Sequence, residues 1–285
     1  MRNIVLLSLC LFLLNFPLLI HAQTYCTKAN KDLCESHLNK LKALDNDQDI
    51  QEIAVQIGKN FLGTPYVGGT LEVGSEEQLV IDLQGLDCTT FMENVVVFSR
   101  LTKKGRLDFA SFQEELELLR YRDGNMQSYS SRLHYFTEWI SNNESKGIVK
   151  DITSEIGGEP YNKQINFMST HRSSYKQLAS DQHYKDIKEI EGKLNQNKRY
   201  YIPKAKLASL ESGIQSGDLV TITTTIKGLD VSHVGMAYEK NGRIHMLHAS
   251  TGSKMVEITP MPLADYLKRS KSQSGIIVVR LQEAS

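Results

Sequence analysis

The dipeptide Asn241-Gly242 lies between two segments that alternate apolar and polar residues, and it predicts a tight β-hairpin. Both positions of a two-residue turn need positive φ, which asparagine and glycine tolerate best. Further segments rich in β-branched residues flank the hairpin, at 219–226, 256–258 and 275–281, with a short helix predicted at 263–269. The C-terminal part of the chain therefore predicts an antiparallel sheet.

The predicted turn also fixes which side chains share a face of the sheet. If Asn241 and Gly242 are the loop residues, His233 faces Ser250 and His248 faces Gly235. His233 and His248 are then diagonal neighbours on one face, with backbones roughly 7–8 Å apart. His245 differs from His248 in parity and points to the opposite face. The sequence thus selects two of three nearby histidines as one candidate site.

The preceding part of the chain has mainly helical periodicity. Helices are predicted at 49–62, 88–101, 109–121, 130–142 and 175–195. A short strand is predicted at 79–83, and residues 150–205 are otherwise polar and weakly patterned. Helices before an antiparallel sheet favour an α+β fold, with the helices packed on one side of the sheet.

Cys88 opens the helix predicted at 88–101, directly after Asp87 as a plausible cap. Unpaired backbone N–H groups at a helix N-terminus lower a thiol pKa, and they also suit the oxyanion of a tetrahedral intermediate. The residue type and position therefore indicate a thiol nucleophile. The alternative is a buried structural cysteine, because free cysteines are among the most buried residues.

Residues 1–22 are typical of a signal peptide, with Arg2 ahead of an apolar run and Ala22 at the cleavage position. This predicts an exported protein without stable membrane insertion, comprising an N-terminal arm at 23–48 and a single domain at 49–285. Export favours disulfides, but the sequence leaves open whether Cys26 and Cys34 form one. If they do, Cys88 has no partner, which indicates an intermolecular link or a reactive thiol.

Charge and ligand patterns exclude other kinds of site. The 33 basic residues balance 33 acidic ones, which argues against nucleic acid as a partner. A zinc site is the other common use of histidine and cysteine. His245 and His248 diverge on a strand, however, and no acidic ligand motif stands beside them. No metal and no cofactor are therefore expected.

Several short motifs together resemble the NlpC-type papain-like cell-wall peptidases. These motifs are Gly63-Thr64-Pro65-Tyr66 with Gly68-Gly69, Asp87-Cys88-Thr89, Ser232-His233-Val234-Gly235 and His248-Ala249-Ser250. A finer resemblance is to the N-acetylmuramoyl-L-alanine amidase-like branch. It is carried by Phe61–Tyr66 with Thr70-Leu71-Glu72, by Ser131–Phe136 and by Gly228–His233. The resemblance extends from about residue 50 to 282 and implies a papain-like core.

The resemblance implies a Cys-His-His triad. Cys88 would be the nucleophile, and His233 would be its general base and later the acid that protonates the leaving amine. His248 would orient His233 and hold its tautomer.

The resemblance also implies a set of substrate-binding residues. Tyr66 would lie near the oxyanion side of the cleft, and Asp87 would bind a free amino end or another polar group. Thr89, which follows the nucleophile in the chain, is assigned to the same substrate-binding set. The planar fork of Arg132 suits a substrate carboxylate, although an ordinary ion pair is equally compatible with the sequence.

The chain also departs from the wider superfamily. Val67 stands where a tryptophan is usual, and Thr89-Thr90 stand where Ser-Gly is usual. Residues 70–86 and a large helical region at about 105–205 look inserted. The resemblance therefore supports the class of reaction more strongly than it supports the particular bond that is cleaved.

The expected function is that of an exported cysteine amidohydrolase acting on peptidoglycan or muropeptides. The favoured bond joins N-acetylmuramate to L-alanine. The alternatives are cleavage of the γ-D-glutamyl–diamino acid bond and a non-catalytic cell-wall binding protein. The sequence specifies neither the oligomeric state nor the wall chemistry preferred.

Overall fold

A computed structural model describes residues 23–284, so the predicted signal peptide lies outside the described residues. The helices are α1 Lys28–Leu41, α2 Ile50–Asn60, α3 Cys88–Lys104, α4 Phe109–Arg120, α5 Phe136–Ser145, α6 Phe167–Thr170, α7 Asp181–Leu194, α8 Leu207–Leu210 and α9 Leu263–Lys268. The strands are β1 Thr24–Tyr25, β2 Leu79–Val80, β3 Val149–Asp151, β4 Glu159–Pro160, β5 Tyr200–Pro203, β6 Leu219–Thr224, β7 Val231–Lys240, β8 Arg243–Ser250, β9 Met255–Ile258 and β10 Gln273–Leu281. Within residues 23–284, no helix is both long and apolar enough to cross a membrane.

The main sheet has the strand order β4-β5-β10-β6-β7-β8-β9, with β3 also paired to β10. All of these pairs are antiparallel. The mixed α+β class with an antiparallel sheet is therefore confirmed. The expectation that the helices pack on one side of the sheet is wrong for α9, which packs with Met246 and Val278 on the face opposite α3. The description of residues 105–205 as helical is incomplete, because β3, β4 and β5 lie in that region and join the sheet through β10.

The hairpin follows the predicted register. Lys240 pairs with Arg243 and Met236 pairs with Leu247, with Asn241 and Gly242 as the two loop residues. Their φ angles are 54° and 74°, the left-handed values that this turn requires. Local turn chemistry thus sets which residues of β7 and β8 share a face.

The helix predicted at 130–142 is wrong at its N-terminal end. Residues Tyr129–Ser131 form a short 3₁₀ turn, and α5 begins only at Phe136. Asp230 explains the late start, because its carboxylate accepts hydrogen bonds from the backbone N–H of Thr137 at 2.8 Å and from its hydroxyl at 2.9 Å. A capping carboxylate from a distant segment satisfies the first turn of a helix. The contact also ties α5 to the start of β7.

The helix α3 is the central element of the larger hydrophobic core. Its apolar stripe, which includes Phe91, Val95 and Phe98, is buried. The helix packs against α2 on one side and against β7 and β8 on the other. This packing brings the N-terminal residue of α3 to the face of the hairpin.

A buried ion pair fixes α3 against α4. The Arg120 Nε lies 2.8 Å from Glu93 Oε2, and both side chains are almost fully buried. The same guanidinium donates through Nη1 to the carbonyl of Val80 at 2.7 Å. The pair therefore links α3, α4 and the segment at β2.

Replacing Glu93 with alanine should be strongly destabilising, because it leaves the Arg120 guanidinium charged and unpaired in the interior. We expect a loss of about 3–5 kcal/mol, which thermal unfolding would detect as a fall in the midpoint on the order of 10 °C. The control Glu114→Ala removes an exposed carboxylate that pairs with Arg106 and should leave the midpoint almost unchanged. Equal midpoints for both variants would contradict a structural role for the pair.

Candidate active site

Cys88 is the first residue of the 17-residue helix α3, and Asp87 is its N-cap. The Asp87 carboxylate accepts a hydrogen bond from the Thr90 N–H at 2.8 Å, and the Thr90 hydroxyl accepts one from the Asp87 N–H at 2.9 Å. This capping box satisfies two terminal donors and fixes where the helix begins. It therefore fixes the direction in which the Cys88 side chain leaves the backbone.

The surroundings of the Cys88 thiol both favour and oppose ionisation. Burial raises its pKa to about 11, and the nearby Asp87 carboxylate acts in the same direction. The backbone N–H of Val234 and both the hydroxyl and N–H of Thr89 favour the thiolate, but by less. The expectation that the helix N-terminus gives a net lowered thiol pKa is therefore wrong, because desolvation outweighs the local donors. A thiol with a raised pKa needs a base before it attacks.

His233 and His248 are directly hydrogen-bonded. The His233 Nε2 lies 2.6 Å from the His248 Nδ1, and the rings meet edge-on with centroids 4.8 Å apart. Burial lowers the pKa of His233 to about 4 and that of His248 to about 3. Both rings are therefore neutral at neutral pH, and His233 is free to accept a proton.

Gly235 makes room for this pair. A Cβ at position 235 would lie 2.8 Å from the Cβ of His248, closer than real Cβ contacts allow. His245 lies on the other face, as the parity predicted, where its Nδ1 is 2.7 Å from the carbonyl of Thr259. The hairpin therefore puts the histidine pair on one face of the sheet and His245 on the other.

The thiol and the hairpin lie side by side at the start of α3. The Val234 N–H that lies beside the Cys88 thiol belongs to the residue after His233. Burial raises the pKa of the Tyr66 phenol, and Cys88 and Asp87 add to that shift. The Cys88 thiol therefore lies against β7 at the residue that follows His233, with Tyr66 and Asp87 close to it.

Arg132 is placed differently from the others. Its guanidinium is 2.5 Å from the Glu72 carboxylate and 3.5 Å from that of Glu77, and it lies over the ring of Tyr129. The side chain is largely buried. Arg132 therefore anchors the segment at 71–77, and its contact with a substrate carboxylate stays a prediction.

Two sets of contacts were not predicted from the sequence. Glu72 and Glu77 hold Arg132, and Glu257 lies opposite His248 on β9. Glu72 stands in the quoted motif Thr70-Leu71-Glu72, but the motif gives no sign of its partner. Glu72 and Glu77 lie far from Arg132 in the chain, so only the folded chain reveals that contact. The His248–Glu257 pairing follows the turn at 251–254, which has no Asn-Gly signal from which its register could be predicted.

The other two described cysteines are not activated thiols. Cys26 and Cys34 are both free thiols. Burial raises their pKa values, so neither is an activated nucleophile. Among residues 23–284, no group of three or more His, Cys, Asp or Glu side chains is arranged to hold a metal ion.

The arrangement combines a protonated thiol, a neutral imidazole and backbone N–H groups at a helix N-terminus. These are the groups that acyl transfer needs. Residues 56–276 match the AmiA-like family, described as N-acetylmuramoyl-L-alanine amidase-like. The chain belongs to this family, which supports a peptidoglycan hydrolase at the level of the family.

Solved structures agree with this assignment. An N-acetylmuramoyl-L-alanine amidase from Bacteroides uniformis is 36% identical, with a TM-score of 0.78, and the match covers 82% of this chain and 99% of that one. A Bacteroides fragilis protein described as a candidate xylanase is also 36% identical, with a TM-score of 0.75 and coverages of 79% and 99%. A Legionella pneumophila protein at 24% identity has a TM-score of 0.70, with coverages of 89% and 96%, and shares the fold. Among curated proteins, none matches the sequence.

Proposed function

We propose that this chain is an exported cysteine amidohydrolase that cleaves the bond between N-acetylmuramate and L-alanine in peptidoglycan or muropeptides. The observation that carries the proposal is the hydrogen-bonded His233–His248 pair on a hairpin whose Val234 N–H lies beside the Cys88 thiol at the start of α3. Membership of the amidase-like family and the name of the Bacteroides uniformis protein support the choice of bond.

The proposed reaction begins with a proton transfer. Because His233 Nε2 is bonded to His248, its Nδ1 is the nitrogen available to take the proton from Cys88. The sulfur attacks the lactyl carbonyl carbon of N-acetylmuramate, and N–H groups at the start of α3 stabilise the oxyanion. His233 then returns the proton to the nitrogen of L-alanine as the C–N bond breaks.

A covalent thioester between Cys88 and the muramoyl group remains after the amine leaves. His233 removes a proton from a water molecule, which attacks the thioester carbonyl. The C–S bond then breaks, and His233 returns the proton to the Cys88 sulfur as the acid product forms. The same imidazole thus acts as base and then acid in each half-reaction. Its lowered pKa keeps it neutral at the start of each half-reaction.

The chemistry of the site favours an amidase over a xylanase. Most glycoside hydrolases use two carboxyl groups on either side of the scissile bond. Here the gathered groups are one thiol and two imidazoles, and the Asp87 carboxylate caps α3. This arrangement suits attack on an acyl carbon and not on an anomeric carbon.

We also propose the papain-like, NlpC-type core. A helix that carries the nucleophile at its N-terminus and packs on an antiparallel hairpin that carries the base supports this relationship. Endopeptidase cleavage of the γ-D-glutamyl–diamino acid bond uses the same catalytic groups and is the second candidate. A non-catalytic binding protein would share the fold but would not consume substrate.

Product analysis distinguishes these functions. The mature protein is incubated with purified muropeptides, and the products are identified by mass spectrometry. We expect release of the intact stem peptide, which begins with L-alanine, together with the free muramic acid product. A sugar product that retains L-Ala-D-Glu would instead establish the endopeptidase, and unchanged muropeptides would refute both enzymes.

A further inference from the structure

One nitrogen of the histidine pair lacks a hydrogen bond. The His248 side chain is 1% exposed, and its Nε2 is buried with no hydrogen-bond partner among the described residues. The nearest acidic atom is the Glu257 Oε1 at 3.9 Å. A buried polar atom of this kind calls for an explanation, because an unmade hydrogen bond in the interior is costly.

The proposed reaction fixes which nitrogen carries each proton. His233 must be unprotonated at Nδ1 to accept the thiol proton, so its own proton is on Nε2. That N–H donates to His248 Nδ1 across the 2.6 Å contact. His248 therefore carries its proton on Nε2, the nitrogen that faces Glu257.

The sheet holds Glu257 in this position. His248 on β8 and Glu257 on β9 are directly paired in the antiparallel register. Directly opposite residues have neighbouring Cβ atoms on the same face. The Glu257 side chain is 31% exposed, so its carboxylate bridges solvent and the buried ring.

We infer that Glu257 is a positioning residue of this site, which acts through His248. Its carboxylate accepts from the His248 Nε2–H as the contact tightens, holds the tautomer of both rings and stabilises the imidazolium that forms on His233. No covalent step is added, since the carboxylate gives up and takes no proton. The inference rests on the proposed function, because it requires His233 to act as a base.

The other groups around His248 do not supply a negative charge that stabilises a protonated ring. His233 on β7 disfavours protonation of the ring, whereas Glu257 favours it and lowers the cost of a positive charge. The phenol of Tyr266 on α9 lies at the ring edge, with centroids 6.1 Å apart. Burial raises the pKa of Tyr266, and Glu257 adds to that shift, so the phenol stays neutral.

Steady-state kinetics across pH test the inference with Glu257→Gln and Glu257→Leu. Glutamine keeps an acceptor oxygen and removes the charge, whereas leucine removes both. We expect kcat to fall about tenfold in the first and further in the second, which is less than the 10²–10⁴-fold loss expected when the general base itself is removed. KM should change little, because the carboxylate does not touch substrate.

The direction in which the pH profile shifts distinguishes this role of Glu257 from a purely structural one. A carboxylate favours protonated imidazole, so its loss lowers the pKa of the histidine pair. Because the base must be neutral, the acid limb of kcat/KM should move to lower pH in Glu257→Gln even as the plateau falls. The matched control Glu239→Gln removes an exposed carboxylate from β7 of the same sheet. It should change neither the position of the acid limb nor the height of the plateau.

Alkylation of Cys88 keeps this test independent of the substrate. The rate of modification by iodoacetamide, followed at the Cys88 peptide by mass spectrometry, should fall several-fold in Glu257→Gln. Unchanged alkylation and an unchanged acid limb in a folded Glu257→Gln protein would overturn the inference. If the wild-type protein does not cleave muropeptides but Cys88 is still alkylated more slowly in Glu257→Gln, the proposed substrate is wrong and the inference about Glu257 stands.

Discussion

Replacing Cys88 with alanine should reduce amide hydrolysis by on the order of 10⁴–10⁶-fold, the loss seen when a catalytic nucleophile is removed. Alanine keeps the helix start, because the capping box is made by Asp87 and Thr90. The variant therefore removes the sulfur and leaves the histidine pair in place. Stem-peptide release from muropeptides, followed by chromatography and mass spectrometry, measures the effect.

The control for this prediction is Cys26→Ser. Cys26 is a free, partly buried thiol that precedes α1, far from the start of α3 in the chain. It should retain wild-type turnover, and a chelator should leave the wild-type rate intact. A Cys88→Ala protein that digests muropeptides at the wild-type rate would refute the thiol mechanism, and loss of activity with the chelator would favour a metal-dependent one.

Replacing His233 with alanine should lower kcat about 10²–10⁴-fold, the contribution expected of a general base. The loss is large because burial and Asp87 keep the Cys88 thiol protonated at neutral pH. Without the imidazole, only the small thiolate fraction is able to react. Raising the pH should therefore partly restore the variant as more thiolate forms, which the pH dependence of kcat would reveal.

The wild-type acid limb tests the same residue. Burial lowers the pKa of His233 from 6.5 to about 4, so the base stays neutral below the usual histidine range. Activity should accordingly persist as the pH falls through 6.5 and should be lost toward pH 4. An acid limb of kcat/KM with its midpoint at or above pH 6.5 would contradict this interpretation.

The matched control for His233→Ala is His245→Asn. His245 lies on the opposite face of the same hairpin, and asparagine retains a donor near the carbonyl of Thr259. The variant should keep wild-type kcat, with its fold checked by thermal unfolding. Equal losses in both variants would mean that His233 acts through the stability of the hairpin.

Much of the fold could be predicted because the signals are local. The apolar stripe of 88–101 and the β-branched segments after 219 identify α3 and the central strands. The strands in segment 105–205 are harder to predict, since β3, β4 and β5 are only two to four residues long. β3 and β5 pair with the distant β10, and β4 pairs with β5. Short strands have almost no period of their own, and their pairing depends on partners far along the chain.

The sequence by itself determined the register of the hairpin. Asn241-Gly242 requires positive φ at both loop positions, so the register follows and puts His233 and His248 on one face. Only the tertiary structure decided the protonation states, because burial raises the thiol pKa of Cys88 and lowers the imidazole pKa values. Desolvation depends on which segments pack together, which no local pattern encodes, whereas the alignment of Glu257 with His248 follows from the turn at 251–254.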